Sequence, residues 1–338
     1  MKKKQLASAL VGAFGMMLLI LDSKTAIQGA EAGTQLCVRT LIPSLFPFLV
    51  VSGMLTGALS GQALPFLRTL GRICGIPGGA ESVLAVGLLG GYPVGAQCVT
   101  QSWKSGAISK DDAARMLGFC SNAGPSFLFG ILGSMFSDRM IVWVLWGVHI
   151  ASAIMVGAVT ATNGSVGMLP IMPSSISLPE ALDRSIKTMG RICGWVIVFR
   201  IVVAFLEKWI FSVLPPAVQV LVAGLLELSN GCILLGEIEL EGLRFLIAGC
   251  ILALGGLCVT MQTVSVTENL SLRYYFPGKL LQCCFSVILC FGSQFIFPEA
   301  QRCRIRAIPA AALALALLLV IRLRKLKNSS RNPALCGV

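Results

Sequence analysis

The chain has 338 residues, of which 56% are hydrophobic and only 12% are charged. Soluble domains carry about 25% charged residues, so this composition excludes a soluble enzyme or nucleic-acid-binding fold and indicates a polytopic integral membrane protein. The net charge of +12 does not indicate a nucleic-acid partner, because the basic residues flank apolar runs and no stacking aromatic residues are interleaved with them.

The N-terminus carries three lysines, at positions 2–4, before an apolar stretch that ends at Leu21. A cleaved signal peptide has a similar layout, and residues 26–30 come near a cleavage pattern. No convincing cleavage site precedes Asp22, so we interpret residues 1–34 as an anchor helix and an external loop. Basic residues also follow the last apolar run, which predicts that both termini are cytoplasmic.

Apolar runs close to the bilayer-spanning length of roughly 20 residues recur along the chain. The clearest are 36–59, 140–160, 192–214, 243–266, 280–297 and 308–321. Together with shorter, interrupted apolar segments they predict an all-α bundle of about eight to ten membrane segments, some of them broken or re-entrant. The last of these runs and the basic tail occupy residues 299–338.

An internal repeat links residues 68–75 to residues 187–194, with six of eight positions identical. Each copy precedes an interrupted apolar segment, 87–96 after the first and 224–231 after the second. The second interval is 18 residues longer, which is about one membrane crossing. If both copies face the cytoplasm, as their basic residues indicate, the two interrupted segments should enter the membrane from opposite faces.

This repeat predicts two pseudo-symmetric and inverted halves, the arrangement of many secondary transporters. We place the first half at residues 35–160 and the second at 186–298. A connector rich in Pro, Ser and Thr, residues 161–185, joins them.

The first interruption, residues 90–95, contains three glycines and a proline in an otherwise apolar run. Such backbone leaves polar groups unpaired, which a membrane tolerates only against protein or a wet cavity. We therefore predict that this segment forms half of a substrate site; close helix packing at the glycines is the alternative. The predicted contributors are Tyr92, Pro93, Gly95 and Gln97.

The stretch 101–117 is more polar, and Ser109 with Asp112 predicts a short cytoplasmic helix that begins near Lys110. If this helix and residue 79 lie on one face, residues 79–103 form a re-entrant hairpin that turns at Tyr92. A spanning helix kinked at Pro93 is the alternative.

A second interruption, residues 120–126, reads Cys-Ser-Asn-Ala-Gly-Pro-Ser. Its neutral side chains lie beside backbone that the proline frees from helical pairing. They suit an uncharged polar ligand or a cation held by carbonyl oxygens, whereas an interfacial loop is the alternative. The predicted site residues are Ser121, Asn122, Gly124 and Ser126.

In the second half, Glu227 follows an apolar segment and precedes Ser229 and Asn230. An acid within a membrane is a functional hypothesis by default: it could stay protonated, bind a coupling cation or accept a hydrogen bond from a solute. The nearby acids at 237, 239 and 241 offer the alternative of an interfacial residue.

Residues 260–263 form a weaker counterpart of the Asn122 cluster, with Thr260 and Gln262 as candidates. Membrane Thr side chains often bond back to their own helix, which is the alternative. The single histidine, His149, suggests a neutral histidine paired in the bundle or, less readily, a proton relay. With thirteen cysteines mostly in apolar runs, no CxxC pair and one histidine, we predict no metal site or cofactor.

The ordered set 87–96, 120–126 and 224–231 resembles the YlbJ-like sporulation integral membrane proteins, which belong to the nucleoside-recognition Gate domains. The resemblance runs from about Cys37 to Val266. Ser121 departs from the asparagine usual in the family, whereas Glu227 and Ser229 match its pattern. The resemblance implies a multi-span inner-membrane protein of spore formers, made in the mother cell and needed for the spore cortex or the engulfed cell. Related Gate proteins include nucleoside transporters with two re-entrant hairpins.

Together these observations predict a permease in the mother-cell or forespore membranes that moves a small polar solute, nucleoside-like or related to the cell envelope, by alternating access. H⁺ or Na⁺ would be the coupling cation. The expected partners are the lipid bilayer, the solute and spore-envelope membrane proteins. The alternative is a non-transporting scaffold for spore-envelope assembly. An intramembrane serine peptidase using Ser126 and His149 lacks a surrounding nucleophile motif, so we predict no enzymatic activity.

Overall fold

The computed structural model describes residues 3–59, 64–162 and 177–293. Within these ranges the chain is helical, contains no β-strand and has five helices long and apolar enough to cross a membrane. They are Ser23–Leu55, Arg139–Thr160, Leu178–Trp209, Glu241–Thr267 and Tyr275–Ser293. The prediction of an all-α polytopic membrane protein is confirmed. The predicted C-terminal helix and tail, 299–338, lie outside the described residues.

The helices are numbered in chain order. They are α1 (Lys3–Leu21), α2 (Ser23–Leu36), α3 (Ile42–Leu59), α4 (Arg68–Ile73), α5 (Glu81–Leu89), α6 (Val94–Lys104), α7 (Lys110–Met116), α8 (Pro125–Ile131), α9 (Arg139–Thr160), α10 (Leu178–Trp209), α11 (Pro216–Leu226), α12 (Leu228–Leu234), α13 (Glu241–Leu254), α14 (Gly256–Thr267) and α15 (Tyr275–Ser293). A π-helical turn, Cys37–Leu41, joins α2 to α3.

The external loop predicted before residue 34 is wrong, because Ser23–Leu36 forms helix α2. Asp22 caps this helix by accepting a hydrogen bond from the Thr25 N–H. A small-residue face then packs on α10: a Cβ added to Gly29 would lie 2.8 Å from Ile201 Cα. Small residues allow helices to approach closely in a membrane, so packing rather than local polarity decides the structure here.

Helices α5 and α6 with the turn at residues 90–93 form hairpin 1. The two helices have nine and eleven residues, or about 14 and 17 Å at about 1.5 Å per residue, which is half of a roughly 30 Å hydrocarbon core. They face each other across the turn, since a Cβ added to Gly95 would lie 3.0 Å from Gly87 Cα. Residues 79–103 are therefore a helical hairpin and not a kinked span.

Helices α11 and α12 with Glu227 between them form hairpin 2. Its two helices are also in close contact, since a Cβ added to Gly231 would lie 2.3 Å from Gly224 Cα. Glu227 has extended backbone, with φ −145° and ψ 117°, so one residue reverses the chain. Each half thus contains one half-length hairpin.

Helix α9, of 22 residues and about 33 Å, contacts the base of hairpin 1 at one end and the segment after hairpin 2 at the other. Gly75, which precedes hairpin 1, packs against Ala161 at the end of α9, and Arg115, which follows hairpin 1, donates to the Gly75 carbonyl at 2.6 Å. At the start of α9, the Ser137 N–H donates to the Glu241 carboxylate that follows hairpin 2, at 2.8 Å. This arrangement agrees with inverted halves.

The connector predicted at residues 161–185 is too long. Helix α10 begins at Leu178, with Ser177 as its N-cap, and residues 163–176 lie outside the described ranges. The second repeat copy, 187–194, lies within α10, whereas the first ends at Gly75 in a left-handed conformation with φ +63°. The continuation of α10 to Trp209 accounts for the longer second interval.

Candidate functional site

A cavity lies where the tips of the two hairpins meet, and its volume of about 550 Å³ includes space open to solvent. Its apolar wall comes mainly from α3 and α10. Six of the predicted site residues line it: Tyr92, Gly124, Ser126, Glu227, Ser229 and Gln262. Polar side chains from both hairpins and from helices α8 and α14 therefore line the cavity.

Two helix breaks flank the hairpins. The first break, residues 120–124, separates α7 from α8, as predicted. The second break lies at Gly255 and Gly256, whose φ angles of +72° and +75° favour glycine. The tip of hairpin 1 contacts both breaks: Gly91 packs against Gly124, and the Tyr92 hydroxyl donates to the Leu252 carbonyl at 3.3 Å. Hairpin 1 thus connects the two halves.

The other predicted residues of hairpin 1 lie away from the cavity. Pro93 precedes α6, and its carbonyl accepts the Gln97 N–H at 3.0 Å. Gly95 serves close packing, because a Cβ there would lie 2.0 Å from the Cys120 carbonyl oxygen. Gln97 lines a different cavity. Gly95 therefore fits the alternative of close helix packing, whereas Tyr92 lines the cavity, as the predicted substrate site requires.

Asn122 is fully buried, and its amide is bonded entirely within the protein. Its Nδ2 donates to the carbonyls of Phe119 at 2.7 Å and Gly87 at 3.1 Å, and its Oδ1 accepts from Gln282 Nε2 at 2.9 Å. Carbonyls freed by a break need donors when they are buried. Asn122 therefore fastens the first break to hairpin 1 and α15 and does not present its amide to a solute.

Lys279 and Gln282 were not predicted as site residues from the sequence. Lys279 is 3% exposed, and its Nζ donates to the Ser121 carbonyl, to Gln282 Oε1 at 2.9 Å and to the Tyr92 hydroxyl at 3.5 Å. The predicted span began at residue 280, which left the lysine at the membrane edge. Its spacing from Gln282 and Ser286 places three polar residues on one helix face, a signal that could have revealed it.

His149 is 1% exposed, and its Nε2 accepts the Ala123 N–H at 3.1 Å. It is thus a histidine paired within the bundle, and it supports the backbone of the first break. Ser126 lines the cavity, but among the described residues no hydrogen bond joins it to His149, whose Nε2 is bonded to the backbone and whose Nδ1 has no partner. This geometry gives the peptidase alternative no support.

Glu227 is 2% exposed, and its carboxylate oxygens accept the N–H groups of Ser229 at 3.0 Å and Asn230 at 2.8 Å. It is the N-cap of α12 and satisfies donors that a helix start leaves unpaired. It also lines the cavity beside Ser229. Asn230 Nδ2 is a buried donor without a partner among the described residues.

After the second break, Gln262 reaches the cavity, and its Nε2 also contacts Cys258 Sγ at 3.4 Å. The Thr260 hydroxyl donates to the Gly256 carbonyl at 2.9 Å. Thr260 therefore bonds back to its own helix, as the alternative interpretation had it. Within the described residues, no group of three or more His, Cys, Asp or Glu side chains could hold a metal ion.

A second cavity lies between α3, α6 and α10, and its volume of about 490 Å³ includes space open to solvent. Gln97 and Gln101 line it from hairpin 1, and Arg184 and Thr188 line it from α10. Leu49 is buried and lines both cavities. This side chain therefore forms part of the partition between the central cavity and the second one.

The chain is similar to the sporulation integral membrane protein YlbJ of Bacillus subtilis (strain 168), with 22% identity over an alignment of 341 residues. The alignment covers 85% of this chain and 83% of that protein. No family model matches the chain, and no solved structure matches it. This similarity supports the resemblance to the YlbJ-like proteins, whereas the Gate domain stays a prediction.

Proposed function

We propose that this YlbJ-like membrane protein is a sporulation permease that moves a small polar solute across the membrane by alternating access. The observation that carries the proposal is the central cavity, which is lined by the tips of both hairpins, and segments next to the two hairpins contact opposite ends of α9. Half-length helices that end at mid-membrane expose backbone groups to a bound solute in many secondary transporters.

The composition of the cavity favours a small solute with both an apolar part and several hydrogen-bonding groups. Phe48 and Phe127 belong to its apolar wall, and Tyr92, Ser126 and Gln262 supply uncharged polar groups. These features suit a nucleoside-like or cell-envelope-related compound. Glu227 would contact the solute or couple its movement to H⁺ or Na⁺.

The second cavity would be the route from the central cavity to the face that hairpin 1 enters. Its polar side chains, Gln97, Gln101 and Thr188, suit passage of a polar solute. A movement of α3 that withdraws Leu49 would join the two cavities. Replacement of Leu49 by alanine should therefore raise solute leak across proteoliposomes.

The first experiment is ligand-dependent thermal unfolding of the detergent-purified protein, with nucleosides, sugars, amino acids, cell-wall precursors and cations. A ligand that binds only the folded state raises stability by about 2.7 kcal/mol at a hundredfold excess over Kd. We expect one class to raise the melting temperature of wild type, and Gln262→Ala and Ser229→Ala to weaken the effect. Gln101→Ala in the second cavity is the matched control.

Uptake of the stabilising compound by proteoliposomes then tests transport itself. A Glu227→Gln protein that folds and binds but loses cation-dependent uptake would support coupling through the carboxylate. If no compound stabilises the protein and none is taken up, the permease proposal fails. The scaffold alternative would then be favoured, and the search would turn to protein partners.

A further inference from the structure

The ammonium of Lys279 is buried in the protein without a carboxylate partner. It is 3% exposed, and no ion pair joins it to an acid of the described residues. An unpaired buried charge is destabilising by several kcal/mol unless other groups compensate for lost water. The compensation here comes from three oxygen atoms and from the Tyr92 ring, whose centroid is 5.4 Å from Nζ.

The three oxygens have the chemistry of a monovalent-cation site. They are a backbone carbonyl from Ser121, the amide oxygen of Gln282 and the hydroxyl of Tyr92. An ammonium has three N–H donors, so the number of acceptors matches the number of donors. Carbonyl oxygens of unwound membrane helices also coordinate Na⁺ in transporters, and the Ser121 carbonyl belongs to such an unwound segment.

We infer that Lys279 is a tethered cation, whose ammonium occupies a monovalent-cation site at the first break. The site joins three elements, because Tyr92 belongs to hairpin 1, Ser121 to the first break and Lys279 to α15. Gln282 extends the link to Asn122 through its Nε2. The protein therefore holds this junction together without a free ion. The inference holds whether or not the chain transports a solute.

The inference predicts that removal of the side chain creates a site for a free cation. Lys279→Ala leaves the oxygens of Ser121, Gln282 and Tyr92 around the space of the lost ammonium. We expect this variant to melt at a lower temperature than wild type in choline chloride. Its melting temperature should rise in a saturable way with NaCl, KCl or ethylammonium chloride at constant ionic strength.

Two further variants make the test specific. Lys279→Met fills the space but donates no hydrogen bond, so it should be destabilised and should gain nothing from any cation. Lys208→Ala removes a lysine that is half exposed and paired with Asp22, and it should show no saturable response. The Glu227→Gln background separates the new response from any cation effect at the central cavity.

Two outcomes would overturn the inference. One is a Lys279→Ala protein that folds but melts at the same temperature in choline, sodium, potassium and ethylammonium salts. The other is a Lys279→Met protein that is as stable as wild type, since the ammonium would then be dispensable. The second outcome decides the matter even if the alanine variant cannot be purified folded.

Discussion

In each hairpin the second helix, α6 or α12, begins in the interior of the membrane. The two hairpins differ in how the first backbone N–H groups of that helix find hydrogen-bond acceptors. Hairpin 1 uses a four-residue turn that ends in Pro93, which has no N–H, and the Gly95 N–H donates to the Gly91 carbonyl at 3.3 Å. Hairpin 2 reverses at Glu227, whose carboxylate accepts two N–H groups of α12.

Two hairpins of similar shape are thus stabilised by different interactions, backbone hydrogen bonds in one and a carboxylate side chain in the other. Hairpin 1 is held by backbone contacts and by the reach of Tyr92 to the other half. Hairpin 2 is held by a side chain that also lines the central cavity. Loss of the Glu227 carboxylate should therefore disturb hairpin 2, and added volume or loss of the Tyr92 hydroxyl should disturb hairpin 1.

The largest effect is expected for Glu227→Ala. It leaves the N–H groups of Ser229 and Asn230 without partners, and each buried unsatisfied donor lowers stability by about 1–3 kcal/mol. The expected loss in the free energy of unfolding is therefore roughly 2–6 kcal/mol, measured by denaturant titration in detergent. Glu227→Gln should lose less, since its amide oxygen can still accept. Glu237→Ala, at an exposed acid, is the control; an equal effect there would refute the capping role.

An intermediate effect is expected for Gly95→Ala in hairpin 1. The added Cβ would lie 2.0 Å from the Cys120 carbonyl oxygen, and forced overpacking lowers stability by roughly 1–3 kcal/mol. The same measurement applies. Gly190→Ala in α10 is the matched control, because a Cβ there has no neighbour within 4 Å. That control should be neutral or stabilising by up to about 1 kcal/mol. A tolerated Gly95→Ala would mean that hairpin 1 is looser than the structure indicates.

The smallest effect is expected for Tyr92→Phe, which keeps the ring but removes the bond to the Leu252 carbonyl and the long contact of 3.5 Å with Lys279 Nζ. A hydrogen bond of this kind contributes about 0.5–1.5 kcal/mol. The sharper readout is hydrogen exchange at the second break, Gly255 and Gly256, which should become faster in the variant. Unchanged exchange would show that hairpin 1 does not hold the other half in place.

The interruptions of the chain could be predicted because their causes are local. Glycine and proline at 90–95, proline at 125 and an acid at 227 each disturb an apolar helix wherever they occur. The repeat at 68–75 and 187–194 added the long-range prediction of opposed entry, which the contacts of α9 support. Ser109 likewise caps α7 through the Asp112 N–H at 3.0 Å.

The partners of the polar residues could not be predicted, because they come from distant parts of the chain. The sequence predicts Asn122 as a solute ligand, but its amide forms hydrogen bonds with Phe119, Gly87 and Gln282. The external loop predicted within residues 1–34 is instead helix α2, whose packing partner α10 lies far along the chain. Lys279 falls just before the predicted span that begins at residue 280. The sequence around it does not indicate that oxygen atoms from Tyr92 and Ser121 surround its side chain.

The pairing of the first break with α15 has a consequence for synthesis of the protein. The Asn122 amide and the Ser121 carbonyl leave the ribosome 160 and 158 residues ahead of Gln282 and Lys279, respectively. Until α15 is inserted, the Asn122 amide oxygen and the Ser121 carbonyl lack the hydrogen-bond donors of α15, which hydrocarbon cannot supply. The nascent chain must therefore keep its first half shielded by the insertion machinery or by water. Chains truncated before α15 are expected to be removed by membrane quality control.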